Sequence, residues 1–592
     1  MCGITGCVGT GEAVSCLLDG LSNLEYRGYD SAGLAVLDGD GLSVCKREGE
    51  VSELEAAVDG EFAGGSLGVG HTRWSTHGPP TDANAHPHTG CDGRVAVVHN
   101  GIIDNHERLR ERLQRRGHEF RSDTDTEVVP HLVEEFLAGG ADAGTAFRRA
   151  VDELSGSYAI VMVVDGVERL FATRSGSPLV LGVDDDACYL ASDVPAFLEH
   201  TDRVVYLEDG DVLSVEAGEY TITDGDGYHV DRPVRTVDWT PEDAQKEGYD
   251  HYMLKEIHEQ PMALRRALRG RIDAGIEVPA WLLDHPDGVP VRFVACGTSY
   301  HAALYAVELL QKRGISAQAS LASEFATSPP PLVDGSVVVG VTQSGETADT
   351  LGALRRASEA GARTLAVTNV VGSTAARECD DAIFIRAGPE IGVAATKTFS
   401  SQVVTLALLA ERLADADTGI LQALSTVPDA LQYVLDHTTA PQVARTYADA
   451  SAYFFVGRGV AHSVSLEGAL KLKEISYEHA EGFPAGELKH GPLALVTPET
   501  PVFAIETGDH SDRMRGTVEE VQARGAPVVA VTHPESAVAA AAETVLPIPE
   551  THPELAGLLA NAQLQLLSYH TARLLDRPVD KPRNLAKSVT VE

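Results

Sequence analysis

The chain has 592 residues, 43% of them hydrophobic, which is long enough for about three to four domains with cores of their own. Its formal net charge is −40, with acidic residues spread along the chain, so nucleic acid and anionic membranes are poor partners. We find no apolar stretch near the roughly 18 residues of a membrane span, no signal peptide, and no metal-ligand spacing among the eight cysteines. These features predict a cytoplasmic protein, and the charge is typical of one that works in high salt.

The first 225 residues are predicted to be rich in strands, with helices between them. Short apolar runs bounded by Gly, Asp and Ser, such as RVAVVHNGII and SYAIVMVV, are typical of strands. NHERLRERLQRRG and TDTEVVPHLVEEFLAGG have helical spacing and end at glycine. At the very start, MCGITG places a cysteine directly after Met1. That cysteine is either a buried strand residue or, once Met1 is removed, a thiol beside a free α-amine.

Residues 226–284 are predicted to form a polar linker and a connecting helix. Beyond residue 285 strands alternate with helices, the pattern of parallel α/β units. This half repeats itself: GARTLAVTN corresponds to GAPVVAVTH, and two further pairs of segments share the same offset of roughly 160 residues. We therefore predict two doubly wound domains, 285–425 and 440–575, followed by a C-terminal tail, 576–592.

Two polar loops follow predicted strands of the first repeat, CGTSYHA and TQSGET. Ser, Thr and Gly at a strand–loop–helix turn aim hydroxyls and backbone N–H groups at one point, where the helix N-terminus favours an anion. The second loop lacks the GxxxxGK[ST] pattern of a nucleotide triphosphate site. Ordinary helix capping would explain either loop alone, but two neighbouring loops favour a small phosphorylated ligand.

A dense polar stretch, SLEGALKLKEISYEHAEGFPAGELKHGP, lies in the second repeat. Glu467, Lys471 and Glu474 share one helix face, which is either a solvated salt-bridge face or a general base beside a cation. His490 follows in a polar loop that suits a site better than a core. Lysine is scarce in this chain, so lysines in unusual local sequences are either required by chemistry or leftover surface residues. They are Lys397, Lys471, Lys473, Lys489 and Lys587.

Three polar clusters lie beside predicted strands of the first 225 residues: GHTRWSTHG, VVHNGIIDN and RSDTDTE. Arg73 could clamp a carboxylate with two hydrogen bonds. Asn100 and Gly101 offer a side-chain amide and an unhindered backbone N–H, the two donors that an oxyanion hole needs. Asp125 could hold an ammonium group. Each signal is weak alone, but beside a cysteine that can become N-terminal they form a set.

This set resembles the class II, N-terminal-nucleophile glutamine amidotransferases, through MCGITG, EYRGYDSAG, HTRWSTHG, HNGII and TDTE in that order. The second half resembles tandem sugar isomerase (SIS) domains, through CGTSYHA, TQSGETADT, GVAATKTFSSQ, the stretch around Glu474, and KPRNLAKSVTVE. The combination covers nearly the whole chain and is similar to the glutamine–fructose-6-phosphate aminotransferase (isomerising) family. The resemblance implies an αββα hydrolase domain at 1–225 and two SIS domains with parallel sheets.

For the N-terminal domain, the resemblance implies that Cys2 becomes N-terminal and uses its own α-amine as the base for its thiol. The thiolate would attack the side-chain amide of L-glutamine, and Asn100 with Gly101 would stabilise the oxyanion. Trp74 would gate an internal channel for ammonia. The residues that would hold the carboxylate and ammonium of glutamine are Arg73, Thr76, His77 and Asp125.

For the second half, the resemblance implies that Lys587 forms an imine at C2 of fructose 6-phosphate, and that Glu474 moves a proton between C1 and C2. His490 would assist ring opening from the neighbouring subunit of a homodimer. The product would be glucosamine 6-phosphate, with no metal or organic cofactor. The residues that would bind the sugar phosphate are Ser299, Thr342 (where the family usually has serine), Gln343, Ser344, Thr347 and Lys471.

Three other functions are considered. A glutamine-dependent synthase with another acceptor, such as amidophosphoribosyltransferase or asparagine synthetase, would need a pyrophosphate-binding or ATP-binding second half, and the sequence shows no such pattern. A sugar-phosphate-binding regulator would not need Cys2, HNG and Lys587 at once. A deglycase-like SIS enzyme would make the N-terminal domain superfluous.

Overall fold

The computed structural model describes residues 2–39, 41–58, 64–75, 78–237, 239–240, 245–286, 288–415 and 418–590. The chain folds into two compact units, one of Met1–Ala244 with Ser588–Glu592 and one of Gln245–Lys587. No helix in the described ranges combines the length and the apolar character needed to cross a bilayer.

The first unit is built around two antiparallel sheets. In the described residues its strands are β1 (Gly3–Val8), β2 (Ser31–Asp38), β3 (Gly41–Glu48), β4 (Leu67–Arg73), β5 (His88–Thr89), β6 (Val95–Ile103), β7 (Gly156–Val164), β8 (Leu170–Ser175), β9 (Val180–Val183), β10 (Cys188–Ala191), β11 (Arg203–Tyr206), β12 (Val212–Glu216), β13 (Glu219–Thr223) and β14 (Val234–Thr236). Its helices there are α1 (Ala13–Asn23), α2 (Val51–Val58), α3 (His106–Arg115), α4 (Val128–Ala138) and α5 (Ala143–Val151). The strand orders are β14-β11-β9-β10-β1-β4-β2-β3 and β13-β12-β8-β7-β6-β5.

The two sheets pack face to face, and strands β6 and β7 are buried on both of their faces. Ala96 and Val98 lie in the core between the two sheets, whereas Val95 and Val97 pack with α3, α4 and α5 on the other side. Successive strand residues face opposite sides of a sheet, so an apolar run without alternation marks a strand that is covered twice. Helix α1 packs on β1 and β4 of the other sheet. The layers are therefore helix, sheet, sheet, helix, which confirms the αββα arrangement.

The second unit contains two parallel sheets. In the described residues its strands are β15 (Val291–Ala295), β16 (Ala317–Leu321), β17 (Val337–Val341), β18 (Arg363–Thr368), β19 (Asp381–Phe384), β20 (Ala452–Gly457), β21 (His479–Pro484), β22 (Val502–Ile505), β23 (Val528–Thr532) and β24 (Thr544–Pro547). Its helices there are α6 (Tyr252–Leu268), α7 (Ala280–Leu283), α8 (Gly297–Lys312), α9 (Ala322–Thr327), α10 (Ala348–Glu359), α11 (Thr374–Glu378), α12 (Lys397–Ala414), α13 (Ile420–Asp436), α14 (Ala440–Tyr447), α15 (Val460–Ser476), α16 (Ser511–Gln522), α17 (Ala537–Ala541) and α18 (Pro553–Leu574).

Both sheets have the same topology. Their orders are β16-β15-β17-β18-β19 and β21-β20-β22-β23-β24, and the pairs within each sheet are parallel. A shared strand order is what a tandem duplication predicts, so the two doubly wound repeats are confirmed. One continuous core joins them, since Phe293 of β15 and Phe455 of β20 belong to the same buried cluster as Phe399 of α12.

The stretch 226–284 is more than the linker and connecting helix that we predicted. Residues Val234–Thr236 form β14, which pairs with β11 at the edge of the first unit's larger sheet. Helix α6 buries Met253, Ile257 and Leu264 at helical spacing in the core of the second unit. This strand was not predicted from the sequence, because the segment around it is polar and has few apolar residues. The five predicted segments stay a proposed division of the chain.

The second unit also contains a buried charge network that invites a stability test. The Arg313 guanidinium pairs with Glu411 at 2.5 Å and with Glu554 at 2.8 Å, and its side chain is 3% exposed. We expect Arg313→Met to destabilise this unit by about 3 kcal/mol, because two buried carboxylates lose their main partner. The measurement is the unfolding temperature of this unit by calorimetry.

The matched control is Arg363→Met, which removes an ion pair with Asp380 from an arginine whose side chain is 58% exposed. Its expected cost is about 1 kcal/mol or less. Equal effects of the two substitutions would contradict the structural role of Arg313.

Candidate active sites

Cys2 lies directly before β1, with its thiol against the end of β4. The Trp74 backbone N–H donates to Cys2 Sγ at 3.3 Å, and the Trp74 carbonyl oxygen lies 3.5 Å from the same atom. Burial raises the pKa of the Cys2 thiol, while the bond from Trp74 N–H and the charges of Arg73 and Arg27 act in the opposite direction. A thiol with a raised pKa needs a nearby base before it can act as a nucleophile.

Asn100 is held in a defined orientation beside Cys2. Its side-chain nitrogen donates to the Cys2 carbonyl oxygen at 2.9 Å, and its side-chain oxygen lies 3.0 Å from His71 Nε2. His71 Nε2 also lies 3.0 Å from the His99 carbonyl oxygen. Both of these partners are acceptors, so His71 carries its proton on Nε2. Burial lowers the pKa of His71 to about 3, so the ring is neutral at pH 7.

Gly101 follows with a backbone φ of +118°, in the region that favours glycine. A Cβ there would lie 1.9 Å from the Ser157 carbonyl oxygen. Only glycine therefore fits next to Asn100, and the backbone of residue 101 stays uncovered by a side chain. Asn100 thus contacts Cys2 through its side-chain nitrogen, and Gly101 is the next residue of the same strand, β6.

Arg73 and Asp125 supply opposite charges in the same unit. The Arg73 guanidinium is almost fully buried and donates to the carbonyl oxygens of Gly78 and Pro79 at 3.2 and 3.3 Å. Burial lowers the pKa of Arg73, and the nearby charges of Cys2, Asp30 and Asp125 oppose that shift. The buried Asp125 carboxylate accepts the Ile103 N–H at 2.8 Å. Met1, Thr76 and His77 lie outside the described residues.

Arg27 was missed by sequence analysis, although it stands in the quoted EYRGYDSAG. Its Nε donates to the Cys2 carbonyl oxygen at 3.2 Å, and its guanidinium pairs with Asp193 at 2.9 Å. The side chain is 6% exposed. Arg27 and Asn100 thus hold the same carbonyl oxygen and fix the backbone of Cys2. The pairing with Asp193 joins residues far apart in the sequence, so no local pattern could have revealed it.

In the second unit, Lys587 lies in a buried ion pair. Its Nζ donates to Glu390 Oε2 at 2.5 Å and to the Gly392 carbonyl oxygen at 2.8 Å, and its side chain is 4% exposed. Glu390 also accepts the backbone N–H groups of Thr396 and Thr398 at 2.8 and 3.0 Å. Burial acts to raise the pKa of Glu390, but Lys587 and these hydrogen bonds bring it down to about 2. Sequence analysis did not single out Glu390.

A second carboxyl group, Glu256 of α6, clamps the turn that carries Glu390. It accepts the backbone N–H groups of Ile391 at 2.5 Å and Gly392 at 3.1 Å. Burial and the negative charge of Glu390 raise the pKa of Glu256 to about 8. Glu256 is therefore mostly protonated at pH 7, which avoids a second buried negative charge beside Glu390.

The C-terminal tail reaches this site because Asp580 fastens it to α6. The Asp580 carboxylate accepts the backbone N–H groups of Tyr252 and Met253 at 2.9 and 3.0 Å. These are N–H groups at the start of α6 that have no partner within the helix, and an acidic side chain suits that end of a helix. Arg583 adds a contact by lying over the Tyr477 ring, 4.4 Å from its centre.

The charged face of α15 is buried, which excludes the solvated salt-bridge face. Lys471 lies 2.5 Å from Glu474 and 3.5 Å from Glu467, and the Lys471 side chain is 1% exposed. Burial raises the pKa of Glu474, and Lys471 and Lys587 oppose that shift. Glu467 is further held by Thr298 and His301, at 3.0 and 2.7 Å. The helix thus presents a carboxyl group with a raised pKa beside a cation.

The two Ser/Thr loops lie side by side, since each follows the carboxyl end of β15 or β17 and these strands are neighbours. In the TQSGET loop, the Gly345 N–H donates to Thr342 Oγ1 at 3.2 Å, and Thr347 Oγ1 lies 3.4 Å from that atom. Glu346, which would repel an anion, is turned away and binds Thr374. The loop therefore suits an anion.

The other residues predicted for the sugar-phosphate site lie partly in the two loops and partly at the surface. Ser299, in the first turn of α8, accepts the Gln402 amide at 2.9 Å. Gln343 and Ser344 are half-buried in the TQSGET loop. His490 is exposed, on a short 3-10 turn. Among the described residues, no hydrogen bond or ion pair joins its ring to Lys587 or Glu474.

The chain is similar to known proteins along its whole length. A family model described as "SIS domain" matches residues 291–412 and 446–575, and one described as "Glutamine amidotransferase domain" matches residues 71–199. The chain is 51% identical to a glutamine–fructose-6-phosphate aminotransferase (isomerizing) of Halobacterium salinarum, and 46% identical to one of Thermus thermophilus. Each alignment covers 100% of both chains.

A solved structure is similar to the second half. It is the C-terminal domain of glucosamine-fructose-6-phosphate aminotransferase from Francisella tularensis, with 36% identity and a TM-score of 0.53. The match covers 57% of this chain and 100% of that one.

The buried pair of Lys587 and Glu390 predicts a pH dependence. The pKa of Glu390 is depressed from its usual value of about 4.3 to about 2. Its contribution to stability is therefore present above about pH 4.3 and is lost as the pH falls towards 2. We expect Glu390→Gln to lower the unfolding temperature clearly at pH 6, and this difference from the unsubstituted protein to shrink by pH 3.5.

The control is Glu378→Gln, since Glu378 pairs with Arg355 at the surface. Its effect should be small at every pH. A constant gap between Glu390→Gln and the unsubstituted protein from pH 6 to pH 3.5 would contradict the depressed pKa of Glu390.

Proposed function

The chain belongs to the glutamine–fructose-6-phosphate aminotransferase (isomerizing) family, and from this we propose how its residues divide the reaction. It converts L-glutamine and fructose 6-phosphate to L-glutamate and glucosamine 6-phosphate. Similarity over the full length of both chains favours this reaction over that of a synthase with another acceptor, a non-catalytic regulator or a deglycase. The observation that carries the proposal is this similarity over the full length of both chains. The groups that the described residues bring to Cys2 and to Lys587 support it.

In the first unit, Cys2 releases ammonia from glutamine. Once Met1 is removed, the α-amine takes the proton of the thiol, since an amine with a pKa near 7.7–8.0 can accept a proton at neutral pH. The thiolate attacks the amide carbon, and Asn100 and Gly101 stabilise the oxyanion. The C–N bond breaks, ammonia leaves with the transferred proton, and water then hydrolyses the thioester to glutamate.

Recognition of glutamine uses the buried charges of this unit. Arg73 binds the α-carboxylate and Asp125 binds the α-ammonium, with Thr76 and His77 assisting. The burial of Arg73 and Asp125 supports this assignment, because charged hydrogen bonds are stronger where water is excluded. Trp74, whose backbone contacts Cys2 Sγ, gates the exit of ammonia.

In the second unit, Lys587 condenses with the C2 carbonyl of the open-chain sugar and releases water. Ammonia then replaces the lysine nitrogen at C2. Glu474 removes a proton from C1 and returns it to C2, which gives an aldehyde at C1 and an amine at C2. The raised pKa of Glu474 supports this role, because a general acid–base works best with a pKa close to the operating pH.

The phosphate is bound by the Ser/Thr loops at the ends of β15 and β17, through Ser299, Thr342, Gln343, Ser344 and Thr347. Lys471 lies beside Glu474 at 2.5 Å and completes the binding of the sugar. Binding energy from the phosphate orients C1 and C2 without taking part in bond making.

The protein acts as a cytoplasmic homodimer in which His490 assists ring opening in the partner subunit. This assignment is supported by the exposure of His490, whereas Glu474 and Lys587 of the same chain are held in buried pairs. The net charge of −40 favours a working environment of high salt, where self-repulsion is screened. Activity is therefore assayed in concentrated salt.

The function is tested by incubating the protein with L-glutamine and fructose 6-phosphate and measuring glucosamine 6-phosphate and glutamate. Cys2→Ala should lower glutamine use by about 10⁴-fold or more, the loss typical of removing a nucleophile. Isomerisation of the sugar phosphate should remain measurable, because it does not need the thiol. Cys45→Ala, at a buried cysteine outside the site, is the control. Loss of both activities in Cys2→Ala would contradict the separate roles.

The role of Lys587 is tested by reduction with borohydride in the presence of fructose 6-phosphate, which traps an imine as a stable adduct. Lys587→Ala should prevent trapping, because it removes the amine that condenses with C2. Lys473→Ala, at an exposed lysine of α15, should leave trapping unchanged. Mass spectrometry of the adduct identifies the residue. Continued trapping in Lys587→Ala would assign the imine to another lysine.

A further inference from the structure

Four possible metal ligands meet in the first unit, apart from the residues assigned above. They are the thiol of Cys91, just after β5, the ring of His118, just after α3, and the side chains of His131 and Glu134 on α4. One atom from each lies within 4.8 Å of each of the others. His131 and Glu134 are three residues apart on one helix, which places them on the same face.

The distances match a tetrahedral site. Zinc bound to sulfur at about 2.3 Å and to nitrogen at about 2.0–2.1 Å gives edges of about 3.5 Å between S and N, and about 3.3 Å between two N atoms. Cys91 Sγ lies 3.7 Å from His118 Nδ1 and 3.6 Å from His131 Nδ1. The two Nδ1 atoms are 3.2 Å apart, and Glu134 Oε2 lies 3.1 Å from the first and 3.4 Å from the second. Five edges of one tetrahedron are accounted for.

Hydrogen bonds alone do not satisfy this arrangement. A neutral imidazole has either one proton or one lone pair on Nδ1. Each of the two Nδ1 atoms nevertheless faces three neighbours at 3.7 Å or less. A single cation at the centre accepts a lone pair from all four atoms at once.

A carboxylate lies near the outer ring nitrogen of each histidine. His131 Nε2 lies 3.7 Å from a Glu127 oxygen, and His118 Nε2 lies 3.7 Å from a Glu135 oxygen. In zinc proteins such a carboxylate accepts a hydrogen bond from the ligating histidine; here both pairs are at ion-pair distance, longer than a hydrogen bond. The Glu119 N–H donates to Cys91 Sγ at 3.4 Å, a bond that favours the thiolate.

We propose that Cys91, His118, His131 and Glu134 bind one divalent transition-metal ion of the zinc class. Thiolate and imidazole ligands favour zinc over magnesium or calcium. One thiolate and one carboxylate neutralise the two positive charges of the ion. With four protein ligands the coordination is closed, so the site is structural rather than catalytic.

The site stabilises the segment that carries Asp125. Glu127 binds the backbone N–H groups of Arg121 and Ser122 at 2.7 and 2.8 Å, while its carboxylate also faces His131. Metal binding at His131 thus fixes α4 and the loop before it. We expect the ion to support the glutamine site without touching its substrate.

The test uses the full-length protein, stripped of metal by a chelator and titrated with Co²⁺. We expect one equivalent to bind with the intense visible bands of tetrahedral Co²⁺ and a thiolate-to-cobalt band in the near ultraviolet. Zn²⁺ should displace it and raise the unfolding temperature of the first unit, because a ligand that binds only the folded state stabilises it.

Cys91→Ser should abolish the near-ultraviolet band, weaken Co²⁺ binding by at least tenfold, and remove the stabilisation by Zn²⁺. Cys91 lies in an exposed turn, so this variant should fold. Cys379→Ser, in the second unit, is the control and should bind Co²⁺ like the unsubstituted protein. If the unsubstituted protein shows no tetrahedral Co²⁺ spectrum, the four side chains form a hydrogen-bonded cluster and no metal site. An unchanged spectrum in Cys91→Ser would show adventitious binding elsewhere, and either result overturns the proposal.

Discussion

The buried ion pair between Lys587 and Glu390 is the interaction on which the second unit's site depends. Taking an ammonium and a carboxylate out of water is costly, and their attraction offsets that cost only when every remaining donor and acceptor is satisfied. Here Glu390 accepts hydrogen bonds from Thr396 and Thr398, and Lys587 also donates to the Gly392 carbonyl oxygen. The loop of residues 390–398 and the part of the tail that carries Lys587 therefore order each other. The residue that we assign to imine formation is also the residue that anchors the tail.

The same constraint explains how an acidic protein uses its few lysines. Lys397 pairs with Glu259 at 2.5 Å, with the lysine side chain 1% exposed, and Lys471 and Lys587 are equally enclosed. Buried pairs are screened by salt far less than surface pairs. Lysine scarcity therefore pointed to three residues with structural or chemical roles, whereas Lys473 and Lys489 lie at the surface. The amino-acid composition could not distinguish the buried lysines from those at the surface, because burial depends on tertiary packing.

Sequence patterns predicted the sheets and the repeat because each depends on local periodicity and on turns. The residues around Cys2 and Lys587 were selected through motifs of a family, which carry information beyond one chain. Glu390 was missed because a single glutamate in GPEIGV has no pattern of its own, and its partner is 197 residues away. The cluster of Cys91, His118, His131 and Glu134 was missed for a similar reason. Its ligands come from three segments at irregular spacing, and only the packing of α4 against the turn after β5 brings them together.

The protonation state of the first unit's interior suits the molecule that is released there. Only neutral ammonia attacks a carbonyl, so a charged imidazolium beside Cys2 would convert the product into inert ammonium. His71 touches Asn100, and His86 stacks 4.1 Å from His71 between ring centres. Burial lowers the pKa of both, and the charge of Arg73 acts in the same direction. Burial, the largest cause, thus keeps these histidines neutral where we propose that ammonia forms, and the arginine that we assign to the glutamine carboxylate adds to that effect.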